Sequence, residues 1–247
     1  MSFYVTLPSD GSQRYFPNNS VTRFSTKLSE PLTLTGAWEV GLAQICYPHT
    51  WLNITSGYSI TYRRGDGEWV QITLPDGYYR NPQEMVAYFV GDVNWNSSIR
   101  MYYKTPNKKI VMYCKEKFEI IFSDKLSQLF RINLTNRELV KGKVDYYKYE
   151  SEGPINIDNI TSLYIYLDII EPQIVGSIKA PLLRTIKAQG KHGDIIDRGF
   201  TRPHFVPLIR QNIDILQVDI RSQLGDPIPF ETGTSMLKLH FRRKNLL

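Results

Sequence analysis

The sequence predicts an all-β chain, a single jelly-roll sandwich of two antiparallel sheets with one amphipathic helix inserted near residues 82–94. Three observations carry this expectation. Tyr, Phe and Trp supply 13% of the 247 residues, and Ile and Thr are frequent, a composition that suits pleated, half-buried surfaces. Apolar and polar residues alternate with a period of two through many short stretches, separated by Gly and Pro turn text. No helical pattern recurs between strands and no repeat of roughly 20–50 residues is present, which excludes a doubly wound parallel sheet, a solenoid and a propeller. A two-sheet jelly roll remains.

The elements follow in order. Val21–Leu28 alternates with one slip in phase and reads as a strand. Trp38–Tyr47 keeps a cleaner phase, with Trp38, Val40 and Leu42 on one side, and Pro48 stops it. Tyr58–Tyr62 and Trp69–Thr73 flank Arg63-Arg-Gly-Asp-Gly-Glu68 and predict a hairpin, so the Arg-Gly-Asp tripeptide reads as a turn. At Asn81-Pro-Gln-Glu84 an Asn can cap, Pro is preorganised for the first helical position and Glu84 completes a capping-box-like arrangement. Val86, Phe89, Val90 and Val93 then form one apolar stripe that ends near Asn94. Strands are expected at Ile99–Tyr103, Lys109–Cys114 and Phe118–Phe122, and a short second helix at Ser123–Phe130. The polar text of residues 136–159, with Gly142, Gly153 and Pro154, predicts a long surface loop within one domain spanning 1–247. Strand signals resume at Ile160–Ile170, Gln173–Ala188, Asp214–Arg221 and Ser235–Arg242, with Asp226-Pro-Ile-Pro-Phe230 an irregular approach to the last.

The chemistry expected is that of a binding or building surface. The four histidines, His49, His192, His204 and His240, make no HxH or HExxH spacing, and Cys46 and Cys114 make no CxxC, so no metal site is predicted. Both cysteines sit in strand-like apolar text and are expected to be buried and reduced. There is no nucleophile elbow, P-loop or dinucleotide fingerprint, and neither an enzyme activity nor a cofactor is expected. No apolar run approaches a membrane span, and the N-terminus lacks the pattern of a signal peptide, so a soluble intracellular chain is expected. The net charge of +6 suits a weak contact with an anionic partner. Arg242-Arg243-Lys244 and the stretch Lys141–Lys148 are its densest parts, and Tyr146-Tyr-Lys-Tyr149 interleaves aromatics with cations. That pattern fits a protein contact better than single-stranded nucleic acid, because Tyr offers large area at low entropy cost.

Pieces from end to end of the chain carry a resemblance. They are Phe3-Tyr-Val-Thr-Leu-Pro-Ser9, Tyr15-Phe-Pro-Asn-Asn19, Trp38-Glu-Val-Gly-Leu42, Tyr47-Pro-His-Thr-Trp51, Gly77-Tyr-Tyr79, Leu163-Tyr-Ile-Tyr-Leu-Asp168, Glu171-Pro-Gln-Ile-Val-Gly176, Pro181-Leu-Leu-Arg184, Pro229-Phe-Glu231 and Leu239-His-Phe-Arg-Arg243. Their order and spacing resemble the minor capsid (penton) proteins of Polinton/Maverick elements and adintoviruses. The resemblance implies a single jelly roll located in the virion. It further implies a homopentamer at the five-fold vertices of an icosahedral capsid, beside a double-jelly-roll major capsid protein, with no catalytic residues; the basic surface, read from the charge, adds a weak contact with packaged DNA. A lectin-like or receptor-binding jelly roll is the alternative function.

A single jelly roll leaves sheet edges and loop ends uncovered, which a closed ring can bury through a heterologous interface. Candidate interface residues are Glu171 and Pro172, then Pro203, Phe205 and Pro207, then Pro229 and Phe230, where rigid prolines stand beside apolar residues. Phe205 and Phe230 are large enough to anchor a subunit contact, or alternatively to fill the monomer core.

Overall fold

A computed structural model describes residues 1–91, 98–135, 137–141, 145–158 and 160–244. In chain order its elements are β1 (Ser2–Pro8), β2 (Arg23–Thr33), β3 (Trp38–Pro48), β4 (Ser59–Arg64), β5 (Val70–Thr73), α1 (Pro82–Val90), β6 (Ile99–Lys104), β7 (Lys109–Lys115), β8 (Phe118–Phe122) and α2 (Asp124–Phe130). There follow β9 (Glu138–Val140), β10 (Tyr146–Glu150), β11 (Ser162–Leu167), β12 (Gln173–Val175), β13 (Ile178–Ala180), β14 (Leu182–Lys187), β15 (Ile195–Gly199), β16 (Phe205–Pro207), β17 (Asn212–Ser222) and β18 (Met236–Arg243). They separate into two compact units, residues 1–51 with 160–247 and residues 52–159.

The first unit is the jelly roll. One sheet runs β1-β18-β3-β15, with β16 also on β3, and the other runs β14-β11-β17-β2. Taken as eight strand positions in chain order, with β15 and β16 sharing the sixth, the first pairs with the eighth and the second with the seventh. The third pairs with the sixth and eighth, and the fourth with the fifth and seventh. This wrapped antiparallel connectivity defines a jelly roll. Period-two burial makes the sandwich: Val40, Leu42, Ile45, Leu237, Leu239 and Phe241 from one sheet share a core with Leu163, Ile165, Leu167, Leu216, Val218 and Ile220 from the other.

The second unit enters the chain between β3 and β11. Its sheets are β6-β7-β10-β9 and β5-β4-β8, and it has its own core of Ile54, Ile60, Met85, Phe89, Ile110, Met112 and Phe130, among others. Asn81 caps α1 by accepting the Glu84 N–H at 3.1 Å, with Pro82 in the first turn, and the helix buries Met85, Val86 and Phe89. Helix α2 starts at the Ser123 cap, as its sequence predicts, and presents Phe130 edge-on to Phe89 and Phe122.

The fold class agrees with the sequence, but several details differ. A second core stands where one domain over 1–247 is expected. The predicted loop at 136–159 contains β9 and β10, with β10 paired along β7 from Tyr146↔Lys115 to Glu150↔Val111. That pairing is non-local, so nothing in the polar text announces it. The expected strand Gln173–Ala188 is three pieces, because Gly176 takes φ +60° in a tight turn and Pro181 interrupts the ladder. Helix α1 ends at Gly91. The expected stripe residue Val93, the helix end at Asn94, and Gly142 and Lys143 lie outside the described residues.

Candidate interaction surface

The outward face of the β1-β18-β3 sheet is set by register. Tyr4 lies opposite His240, His240 opposite Gly41, and Gly41 opposite Phe205, so these positions form one row across four strands. Tyr4 stacks on His240 at 4.4 Å, and His240 meets Phe205 edge-on at 5.3 Å. Arg242, ion-paired with Glu39, lays its guanidinium 3.5 Å from the Phe205 ring centre. Gly41 has no side chain because the chain crosses above it: a Cβ there would lie 2.8 Å from the His204 carbonyl oxygen and 2.9 Å from Pro203 Cβ.

The predicted interface residues divide between places. Glu171 donates its N–H to the Pro207 carbonyl at 2.9 Å, which brings Glu171, Pro172 and Pro207 to the Trp38 end of β3, beside a hollow of about 530 Å³ lined in part by Trp38, Leu208 and Lys244. Pro203 and Phe205 lie on the outer sheet face, where Phe205 is half-buried beneath Arg242. Pro229 and Phe230 sit near the other end of β3. There Phe230 bridges Trp51 through the backbone, meets its ring at 5.7 Å and packs on the jelly-roll core. The seven positions therefore form no single patch.

Sequence reading gives the segment 171–176 but not the shape it takes. β12 and β13 form a hairpin whose Ile174 and Ile178 are 80% and 60% exposed. Beside it runs a groove of about 340 Å³ against the outer face of the β11–β17 pair, lined by Tyr166, Asp168, Ile178, Pro181 and the Asp219–Arg221 ion pair. The tyrosine-rich stretch loses much of its predicted character. Tyr149 is buried and Arg137 covers Tyr147 at 3.9 Å, while Lys148 is held between Glu138 and Glu150, which push its pKa up. Lys148 is thereby neutralised as a partner for a polyanion.

Cys114 is buried, and desolvation pushes its thiol up to about 12. Cys46 departs from the expectation of burial: it faces outward on β3, half-exposed, with burial and Asp197 raising its pKa. Among the described residues no group of three or more His, Cys, Asp or Glu is placed to hold a metal ion, and no helix is long and apolar enough to cross a membrane.

No protein-family profile matches the sequence, nor does any curated protein sequence. Two solved structures resemble the fold across its length. The mavirus penton protein has a TM-score of 0.50 and 11% sequence identity, covering 98% of this chain and 99% of that one. A chain of the Sputnik virophage cryo-EM structure has a TM-score of 0.46 and 12% identity, covering 98% of each. At these identities the likeness is one of architecture: the chain has the all-β jelly-roll fold that the mavirus penton protein has.

Proposed function

We propose that the protein is a minor capsid protein of the penton type, a structural component of a virion that catalyses no reaction. In this reading it forms a homopentamer at the five-fold vertices of an icosahedral shell and meets a double-jelly-roll major capsid protein. The observation that carries the reading is end-to-end correspondence with a penton structure, covering 98% of this chain and 99% of the other. The collinear sequence pieces add the Polinton/adintovirus type to it.

The hairpin of Ile174 and Ile178 is the best candidate for the subunit contact. Exposed isoleucines on a short turn, held at its base by the Glu171–Pro207 hydrogen bond, are preordered for burial against a second copy. Light scattering tests the assembly: particles of five times 28.7 kDa are expected, and Ile174→Asp should shift them to folded monomers. A wild-type chain that stays monomeric at high concentration, and also when mixed with the major capsid protein, overturns the pentamer.

A further inference from the structure

At the flank where both sheets of the jelly roll end, two guanidinium groups have no carboxylate partner among the described residues. β14 and β15 are the terminal strands of their sheets. Arg184 lies opposite the buried Ile165, and Arg198 shares a side of β15 with Ile196, which packs on the core, so both arginines turn toward the gap between the sheets. Phe200 lies against both, with Arg184 3.8 Å and Arg198 5.3 Å from its ring centre. One terminal nitrogen of Arg198 is buried without a hydrogen-bond partner. Burial and the neighbouring Arg198 charge both lower the pKa of Arg184. Elsewhere in this unit Arg210, Arg221 and Arg242 each hold a carboxylate, whereas among the described residues Arg184, Arg198 and the nearby Arg202 hold none, as Arg14, Arg23 and Arg243 hold none, and only Arg184 and Arg198 share one aromatic ring. Residues 179–202 contain six Lys or Arg and two carboxylates. Both arginines are half-buried, and Arg184 donates only one long bond, 3.5 Å to the Arg202 carbonyl, so an anion placed here gains charge-assisted hydrogen bonds from both.

The strand beside this pair has an open edge. Phe200 donates its N–H to the Ala43 carbonyl of β3, and the register Arg198↔Ile45 continues that ladder, so alternation directs the N–H groups of Ile195, Asp197 and Gly199 away from β3. Ile195 is 76% exposed on the opposite side of the strand from Arg198.

We propose that the free edge of β15 is a docking strand for an extended segment of a protein partner, one that carries carboxylates at alternate residues and apolar side chains between them. Laid along β15, such a segment pairs with the outward N–H groups, turns its carboxylates toward Arg198 and Arg184 and its apolar residues toward Ile195. Strand addition of this kind takes affinity from the main chain and specificity from alternate side chains. The open ladder favours a polypeptide over a nucleic-acid backbone, because its outward N–H groups need main-chain acceptors at strand spacing.

The probe is a fluorescent octapeptide of alternating Glu and Val, compared with a peptide of four Glu followed by four Val and with a thymidine oligonucleotide of equal charge. The full-length protein should bind the alternating peptide at least several-fold more tightly than either control. Amide exchange should slow at Asp197 and Gly199 but not at Arg198. Arg184→Gln and Arg198→Gln should each weaken binding roughly tenfold. Ile195→Pro, which removes an outward N–H and leaves the β3 ladder intact, should weaken it without altering the melting temperature. No binding, equal binding of the block peptide, or preferential binding of the oligonucleotide each overturns the proposal. A change of particle mass in Arg198→Gln overturns it too, by assigning the flank to contact between copies. Because the mass of the wild-type chain is read separately, a failure here leaves the pentamer standing, and a monomeric wild type leaves this docking strand standing.

Discussion

At the residue scale, Gly41 shows how one missing side chain fixes a surface. The segment Pro203–His204 crosses β3 so closely that any Cβ on Gly41 meets backbone atoms, which cannot move aside as a flexible side chain would. Gly41→Ala is therefore expected to destabilise the protein by about 1–3 kcal/mol, the cost of overpacking a rigid contact, measured by urea unfolding. It should also loosen Phe205 and Arg242, because both rest where the crossing segment rejoins the sheet as β16. The sequence shows Gly41 inside a strand but not the reason for it, since the neighbour arrives from more than 160 positions away. Phe205 and Phe230 make the same point. Both stand in proline-rich text, yet Phe230 packs on Trp51 and the core while Phe205 lies under a guanidinium on an outer face.

At the scale of elements, what was legible was what is local. The start of α1 is written in four consecutive residues, and the structure keeps the cap but moves the reciprocal bond one residue back: Asn81 accepts the Glu84 N–H, while the Glu84 carboxylate takes the Arg80 N–H at 2.9 Å instead of that of Asn81. Asn81→Ala should cost about 1 kcal/mol, seen as a lower denaturation midpoint with an unchanged m-value. β3 was equally readable, because Trp38, Val40 and Leu42 alternate and Pro48 ends the strand. β10, β15 and β16 were not. Each is five residues or shorter, and each exists because a distant strand supplies its hydrogen bonds: β7 for β10, and β3 for the other two. The exposed hairpin of β12 and β13 escaped for a different reason, since Ile174, Val175 and Ile178 are strand formers on both sides of the turn and only Gly176-Ser177 marks it. The cluster of Arg184, Arg198 and Phe200 left no sequence signal, because its two arginines come from different sheets.

For the whole molecule, two separate cores imply two separable responses to damage. Phe130 is fully buried within the 52–159 unit, and Phe130→Ala should cost about 3–5 kcal/mol there. Hydrogen exchange should then accelerate through β4, β7 and β8 while β1, β3 and β18 keep their protection. Equal loss of protection in both units would show one cooperative block instead. The pairing of β1 with β18, from Ser2↔Arg242 to Pro8↔Met236, has a further consequence for how the chain is made. The first strand emerges from the ribosome with Val5 and Leu7 ready for burial, and its partner is synthesised more than 220 residues later. At ordinary elongation rates that interval is on the order of tens of seconds. The inserted unit, whose strands pair within about a hundred residues of each other, has what it needs to fold during that wait. The jelly roll cannot close until β18 has been made, so its nascent first half, with a bare strand edge and no eighth strand, is the stage most in need of a chaperone.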